Sequence, residues 1–384
     1  MIDTIVLSIP QHKFKILNHE RFNPSTRGLY QPPYTVMGGK PFIKSMQNPP
    51  KSAFKNGVYL PRLTVIKAIR NGGYVIELKI ELSLPKLFFG NNFDELENNN
   101  FLRIIRLLSR ALYSMEVEVA FEYLENASVS AIHYSKNIHL KNYTSCSMVL
   151  SELQKIDLSQ KIDVGSEKFR NGGHALHFHT NTRDLVFYDK MKDLEQAKVS
   201  EKRAIEKDNL IQMALFDEFP NPKALQVLRM ELRLGNPQEI KRTLSKIDIE
   251  TDLRFNLLFK KQISQKMLQY FWEQIEESSQ ILNFKTEGVF ELAESLKANN
   301  PDLKAQKILE YIAFLVLGRE ETTKRLRSFL GYEGSPSANR KWYGIKKAIK
   351  SLKYDRRGNY QALDEIGGSL VNFESTKLED LNSD

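Results

Sequence analysis

The chain has 384 residues, 41% of them hydrophobic and 27% charged, which is the balance of a globular protein able to bury a core. Its formal net charge of +9 favours an anionic partner, and its single cysteine, Cys146, excludes intramolecular disulfides and cysteine-rich zinc sites. The longest apolar run, Tyr311 to Leu317, is far short of the roughly 20 residues a membrane span needs, and no signal-peptide pattern opens the chain. A soluble, intracellular protein is expected.

The first elements read as strands. Ile5, Leu7 and Ile9 alternate with Thr4, Val6 and Ser8 until Pro10. Residues 11 to 60 hold no sustained period and are rich in Pro, Gly, Asn and Lys, so long loops are expected there. Ile76, Leu78, Ile80 and Leu82 then share one face of a strand that Pro85 ends. Residues 101–113 carry Leu102, Ile105, Leu108 and Leu112 at helical spacing, and Val117 to Phe121 and Val129 to Tyr134 read as strands.

A hairpin signal follows. HALHFHT (174–180) and LVFYDK (185–190) flank Asn181, Thr182, Arg183 and Asp184, all good turn residues. Residues 190 to 214 are charged and helix-prone. In VLRMELRL (227–234), Leu228, Met230, Leu232 and Leu234 point one way and Arg229, Glu231 and Arg233 the other. Beyond Thr251 the pattern is helical, over 253–280, 286–298, 302–317, 320–330 and 337–353, with Gly318 and Gly331 expected as C-caps. The fold class is therefore α+β: an antiparallel-sheet domain over 1–250, an all-helical basic region over 251–358, and a flexible tail over 359–384.

Charge concentrates in the helical region. Between Arg319 and Arg357 twelve Lys or Arg face four acids, with Trp342 and Tyr343 interleaved. An ordinary solvated face is one reading. A phosphate-contacting surface is the other, and its candidates are Arg325, Arg327, Arg340, Lys341, Lys346, Lys347 and Lys350.

Chemistry points to the hairpin. With a two- or four-residue loop, His177 stands directly opposite Tyr188; a three- or five-residue loop removes that pairing. A free phenol has a pKa near 10, so a tyrosine nucleophile needs a cation to stabilise charge as it develops. Imidazoles and carboxylates on adjacent strands suit a divalent ion, and Glu231, His133, His177 and His179 are candidate ligands. Each also has a structural reading: the histidines as hydrogen-bonded strand residues, Glu231, between Arg229 and Arg233, as one half of a cross-strand ion pair, and Tyr188 as a half-buried aromatic.

Several segments, in order, resemble the replication-associated endonucleases of filamentous phages (the gene II protein type) and related plasmid rolling-circle initiators. MIDTIVLSIP is similar to their first strand, and IELSLPKLFFGNNFDEL to the strand and turn after it. ASVSAIHYSKNIHL falls where that family has an R-I-D strand, LVFYDK matches the strand of its nucleophilic tyrosine, and VLRMELRL its R-x-E strand. The resemblance covers roughly residues 1 to 245.

It implies a nickase domain of the Rep type, with Tyr188 as nucleophile, Lys190 as its electrostatic neighbour, Glu231 as the metal-side carboxylate and Arg229 as a phosphate or structural contact. His133 stands where many relatives have Asp. Mg²⁺ or Mn²⁺ is the implied cofactor, origin DNA the substrate, and a host helicase and polymerase the partners, in the cytoplasm of a bacterial host. The rival readings are a non-catalytic DNA-binding regulator and a tyrosine recombinase. Against the latter, no Arg-His-x-x-Arg box precedes Tyr343 or Tyr354.

Overall fold

A computed structural model describes residues 1–29, 42–50, 52–53, 57–70, 73–141, 144–156, 158, 166–170, 173–198, 225–279, 284, 288–354 and 361–382. The strands are β1 (Ile2–Pro10), β2 (Phe14–Ile16), β3 (Phe42–Gln47), β4 (Arg62–Arg70), β5 (Gly73–Ser83), β6 (Val117–Val119), β7 (Ser128–His139), β8 (Ser166–Arg170), β9 (Ala175–His179), β10 (Arg183–Asp189) and β11 (Val227–Leu234). Together with the helices they make the expected α+β fold.

The chain divides into two compact units that are not consecutive stretches of sequence. The first takes Met1–His139, Asn181–Leu268 and Phe373–Asp384, and the second Leu140–Thr180 and Gln269–Asn372. In the first, the strands hydrogen-bond antiparallel in the order β3-β4-β5-β1-β7-β11-β10, with β2 and β6 as a separate ribbon.

Alternation explains most of this sheet. Ile76, Leu78, Ile80 and Leu82 of β5, and Ile5, Leu7 and Ile9 of β1, are buried. The helix Phe101–Ser114 packs Ile104, Ile105, Leu108 and Leu112 inward, while Leu102, expected on that face, is exposed. Two strands arise where loops were expected in 11–60, and β4 is an addition. Its alternation is masked by Lys67, which shares the side of Leu63 and Val65 and is buried because its Nζ donates to the Leu29 carbonyl at 2.8 Å. Phe121, read as strand, instead opens the short helix Phe121–Glu125.

In the second unit β8 and β9 pair antiparallel. The helices Val289–Asn299, Ala305–Glu320, Thr323–Phe329 and Pro336–Ser351 enclose a core that includes Leu296, Phe314, Leu315, Leu326, Trp342 and Ile349. These bounds lie within a few residues of the expected ones. Gly331 follows the third helix in the left-handed region, with φ +66°, as a C-terminal cap residue should. Gly318 does not cap; it is buried inside a helix that runs on to Glu320.

Within the expected flexible tail, the described residues 361–382 take up defined structure. Residues 361–372 form a helix with Leu363, Ile366 and Leu370 buried, and Phe373 is buried in turn. The Glu95 amide then donates to the Thr376 carbonyl, the Thr376 amide donates back to the Glu95 carboxylate, and the Leu378 amide donates to Asp94. The acidic composition hid this apolar spacing. The charged stretch 199–214, Arg356 and Arg357 lie outside the described residues.

No helix among the described residues is long and apolar enough to cross a membrane.

Candidate active site

The site is built on the charged face of β11. Its register puts Arg229 opposite Tyr188 of β10 and Asn137 of β7, Glu231 opposite Val186 and Ser135, and Arg233 opposite His133. Directly opposed residues share a face, so these side chains stand on one side of the sheet. Alternating strands usually turn their charges to water, yet Arg229 is 2% exposed and Glu231 3%. The cover comes in part from the segment 91–95, where Phe93 packs with Met191, Leu194, Val227 and Leu378.

A bulge in β1 adds a further carboxylate. Its pairing with β7 steps from Ile2–Tyr134 to Ile5–Ile132, leaving Asp3 and Thr4 together against His133. Asp3, His133 and Glu231 each offer a ligand atom, and these lie within 4.8 Å of one another. Ligands of Mg²⁺ or Mn²⁺ sit about 2.1 Å from the ion and so at most about 4.2 Å apart, a gap that side-chain rotation of about half an ångström closes. Two carboxylates and an imidazole are donors that suit these ions, so the residues fit.

Each charge has a partner. The Arg233 guanidinium grips Glu231 through Nε to Oε1 at 3.0 Å and Nη2 to Oε2 at 3.1 Å, and His133 Nδ1 is 3.2 Å from Oε1. Burial alone would raise the Glu231 pKa, but Arg233 and His133 hold it well below the ordinary carboxylate value. Arg229 Nη2 donates to Asp3 Oδ1 and Ser135 Oγ, both at 2.8 Å, and its Nη1 to the Asn92 carbonyl at 2.5 Å. Glu231 is thus paired with Arg233 of its own strand, not across strands, whereas Arg229 serves Asp3 of β1. Arg233 and His133 remain partly exposed, with side-chain exposures of 34% and 27%, and form the open side of the cluster.

Tyr188 is half-buried and its hydroxyl donates to Glu231 Oε2 over a long 3.5 Å. Burial pushes the phenol well above its usual pKa; Arg229 pulls it back and the Glu231 carboxylate adds to the rise. Lys190, fully buried, donates to Asn92 Oδ1 at 2.8 Å, with Asp193 at 3.8 Å and the Tyr188 ring centroid at 5.9 Å. Burial and the neighbouring Arg229 bring its pKa down to about 7. Asn92 therefore ties down both cations beside the tyrosine, one through its backbone and one through its side chain.

The remaining candidates lie elsewhere. His177 and His179 belong to β9 in the second unit, and the cluster is made without them. β9 ends at His179 and β10, which carries Tyr188, begins at Arg183 in the first unit. Arg327 is spent on the fold: it donates to the Tyr332 carbonyl at 2.9 Å and to Asn339 Oδ1, and lies over the Trp342 and Tyr343 rings. Arg325 pairs with Glu321 and Lys350 with Glu277. Arg340, Lys341 and Lys347 are exposed and Lys346 is partly so.

Asp3 and Asn92 were missed in the sequence. Asp3 had one sign, as the single charged residue of the opening strand; nothing in the spacing marked Asn92.

No curated protein and no solved structure matches the chain. A family model does, that of the N-terminal part of a phage replication-associated protein of the gene II type. It matches residues 1–263, which include every member of the cluster around Tyr188 and Glu231. With well over half its length so matched, the chain belongs to this replication-associated family and is a phage-type replication initiation protein.

Proposed function

We propose that this initiator nicks one strand of its origin through Tyr188 and later rejoins it. The observation that carries the reading is the Tyr188 hydroxyl 3.5 Å from Glu231, within a cluster of two carboxylates and an imidazole. The phenolic oxygen attacks a backbone phosphorus and the bond from phosphorus to the 3′ oxygen breaks. A free 3′-hydroxyl and a 5′-phosphotyrosine ester result. The ester conserves the phosphodiester bond, so rejoining needs no nucleotide hydrolysis, in keeping with a sequence that has no GxxxxGK[ST] loop.

Asp3, Glu231 and His133 would hold Mg²⁺ or Mn²⁺, which when bound supplies Lewis-acid polarisation of the scissile phosphate. Arg229 opposes Tyr188 and favours its ionised form, and Lys190 adds positive potential when protonated. Arg233 lies on the open side, where an incoming phosphate offers its guanidinium an alternative to Glu231. A host polymerase would extend the 3′-hydroxyl and a host helicase unwind the duplex, in the bacterial cytoplasm.

The second reading is a DNA binder without catalysis, favoured by the bidentate pairing of Glu231 with Arg233. Supercoiled circular DNA carrying the origin separates the two. Nicking that needs a divalent ion and stops with Tyr188→Phe supports the first; binding without nicking supports the second.

A further inference from the structure

We propose that the exposed face of the helix Pro336–Ser351 seats B-form duplex DNA, with Gly344 at the point of closest approach and Arg340, Lys341 and Lys347 on the phosphates. This deepens the origin-binding part of the proposed function, on which it rests, and is independent of the strand-breaking part.

The helix is anchored from one side. Trp342 and Ile349 are fully buried in the bundle core, the Phe314 and Trp342 ring centroids are 5.1 Å apart, and Arg327 lies over Trp342 and Tyr343. Ser335 caps the start by accepting from the Ala338 amide, and Pro336 fixes the first turn. With that side committed, residues 340, 344 and 347 fall opposite it and 341 on its flank, and all four are exposed. Among the described residues, no ion pair involves Arg340, Lys341 or Lys347, whereas Arg325 and Lys350 are paired. The face is cationic and its charges are available.

Gly344 is the informative residue. A mid-helix glycine costs about 0.5–1 kcal/mol against alanine. A Cβ added at Gly344 would meet nothing within 4 Å, so packing inside the chain does not require the glycine. Gly367 is the contrast, since a Cβ there would meet Trp272 Nε1 at 3.2 Å. Arg340 and Lys347, on either side of the bare backbone at Gly344, lie about two turns, or about 10 Å, apart along the helix. A helix about 10–12 Å across enters the roughly 12 Å major groove of B-DNA, while the deep, narrow groove of A-form RNA excludes it. The face carries no large apolar side chain of the kind an amphipathic helix sinks into lipid.

The test measures binding to a short mixed-sequence DNA duplex, with chelator present so that no strand is cut. Arg340→Ala with Lys347→Ala should lower the slope of log affinity against log salt by about 1.8, the share of two phosphate contacts. Gly344→Leu should leave the melting temperature unchanged or higher, yet weaken duplex binding about tenfold, the scale of one well-made contact. An A-form RNA duplex should bind more weakly than DNA. An unchanged slope in the double variant, undiminished duplex affinity in Gly344→Leu, or equal binding of the RNA duplex would each overturn the proposal. Nicking of a single-stranded oligonucleotide, read separately, tests Tyr188 and leaves this outcome untouched.

Discussion

Replacing Glu95 by glutamine probes what holds the 91–95 segment over the charged face. Glu95 Oε2 accepts from Lys136 Nζ at 2.7 Å and from the Thr376 amide at 3.0 Å, and Oε1 accepts from the Asn137 amide at 2.5 Å. Glu95 is 6% exposed and Lys136 3%. Glutamine keeps the shape but leaves the Lys136 ammonium buried without its counter-charge. Removing one partner of a buried pair costs about 3–5 kcal/mol. Thr376 Oγ1, still 3.0 Å from Lys136 Nζ, moderates the loss, so we expect about 3 kcal/mol. That is a large share of the roughly 5–15 kcal/mol that holds a typical domain together.

Both tryptophans, Trp272 and Trp342, belong to the second unit, so their fluorescence would miss the effect. Amide hydrogen exchange in β7, β10 and β11 reads it instead, as an acceleration of roughly a hundredfold. Adding Lys136→Met should recover most of the loss. The pH dependence has a definite sign. Burial alone would raise the Glu95 pKa, but Lys136 and the amide donors hold it below its ordinary 4.5. Its contribution is complete above that value and drains away as pH falls through the lower native pKa. Glu95→Gln should lack this acid limb. A loss under about 1 kcal/mol, or a double variant no better than the single, would refute the reasoning.

Two further outcomes follow from the site. Lys190, with a native pKa of about 7 against 10.5 in the unfolded chain, makes stability rise with pH between those values, by at most about 1.4 kcal/mol per pH unit. Lys190→Met should abolish that rise in exchange-derived stability of β10; an unaltered rise would assign it to another group. Asp3→Asn should weaken Mn²⁺ binding, read by titration calorimetry, by about tenfold or more through loss of a charged ligand. Equal Mn²⁺ affinity in the variant would remove Asp3 from the proposed ligands.

Period and register carried much of this fold into the sequence. The alternation in VLRMELRL predicts β11 to the residue and puts Arg229, Glu231 and Arg233 on the face where the cluster forms. Helical spacing likewise located the bundle. What escaped depended on partners distant in sequence. Asp3 joins His133 through a bulge, and no local pattern encodes which strand pairs with β1. Lys67 disguised β4 because a lysine on an apolar face reads as a break until its acceptor, the Leu29 carbonyl, is known. The C-terminal segment read as flexible because the acceptors for its amides, Asp94 and Glu95, lie near the other end of the chain.

The nucleophile is tested most directly by identifying the covalent DNA–protein adduct. Protein incubated with origin DNA and Mg²⁺, then digested and sequenced by mass spectrometry, should carry a nucleotide on Tyr188 through a 5′-phosphate, and Tyr188→Phe should carry none. Nicked DNA with no adduct, an adduct on another residue, or a link through a 3′-phosphate would contradict the account.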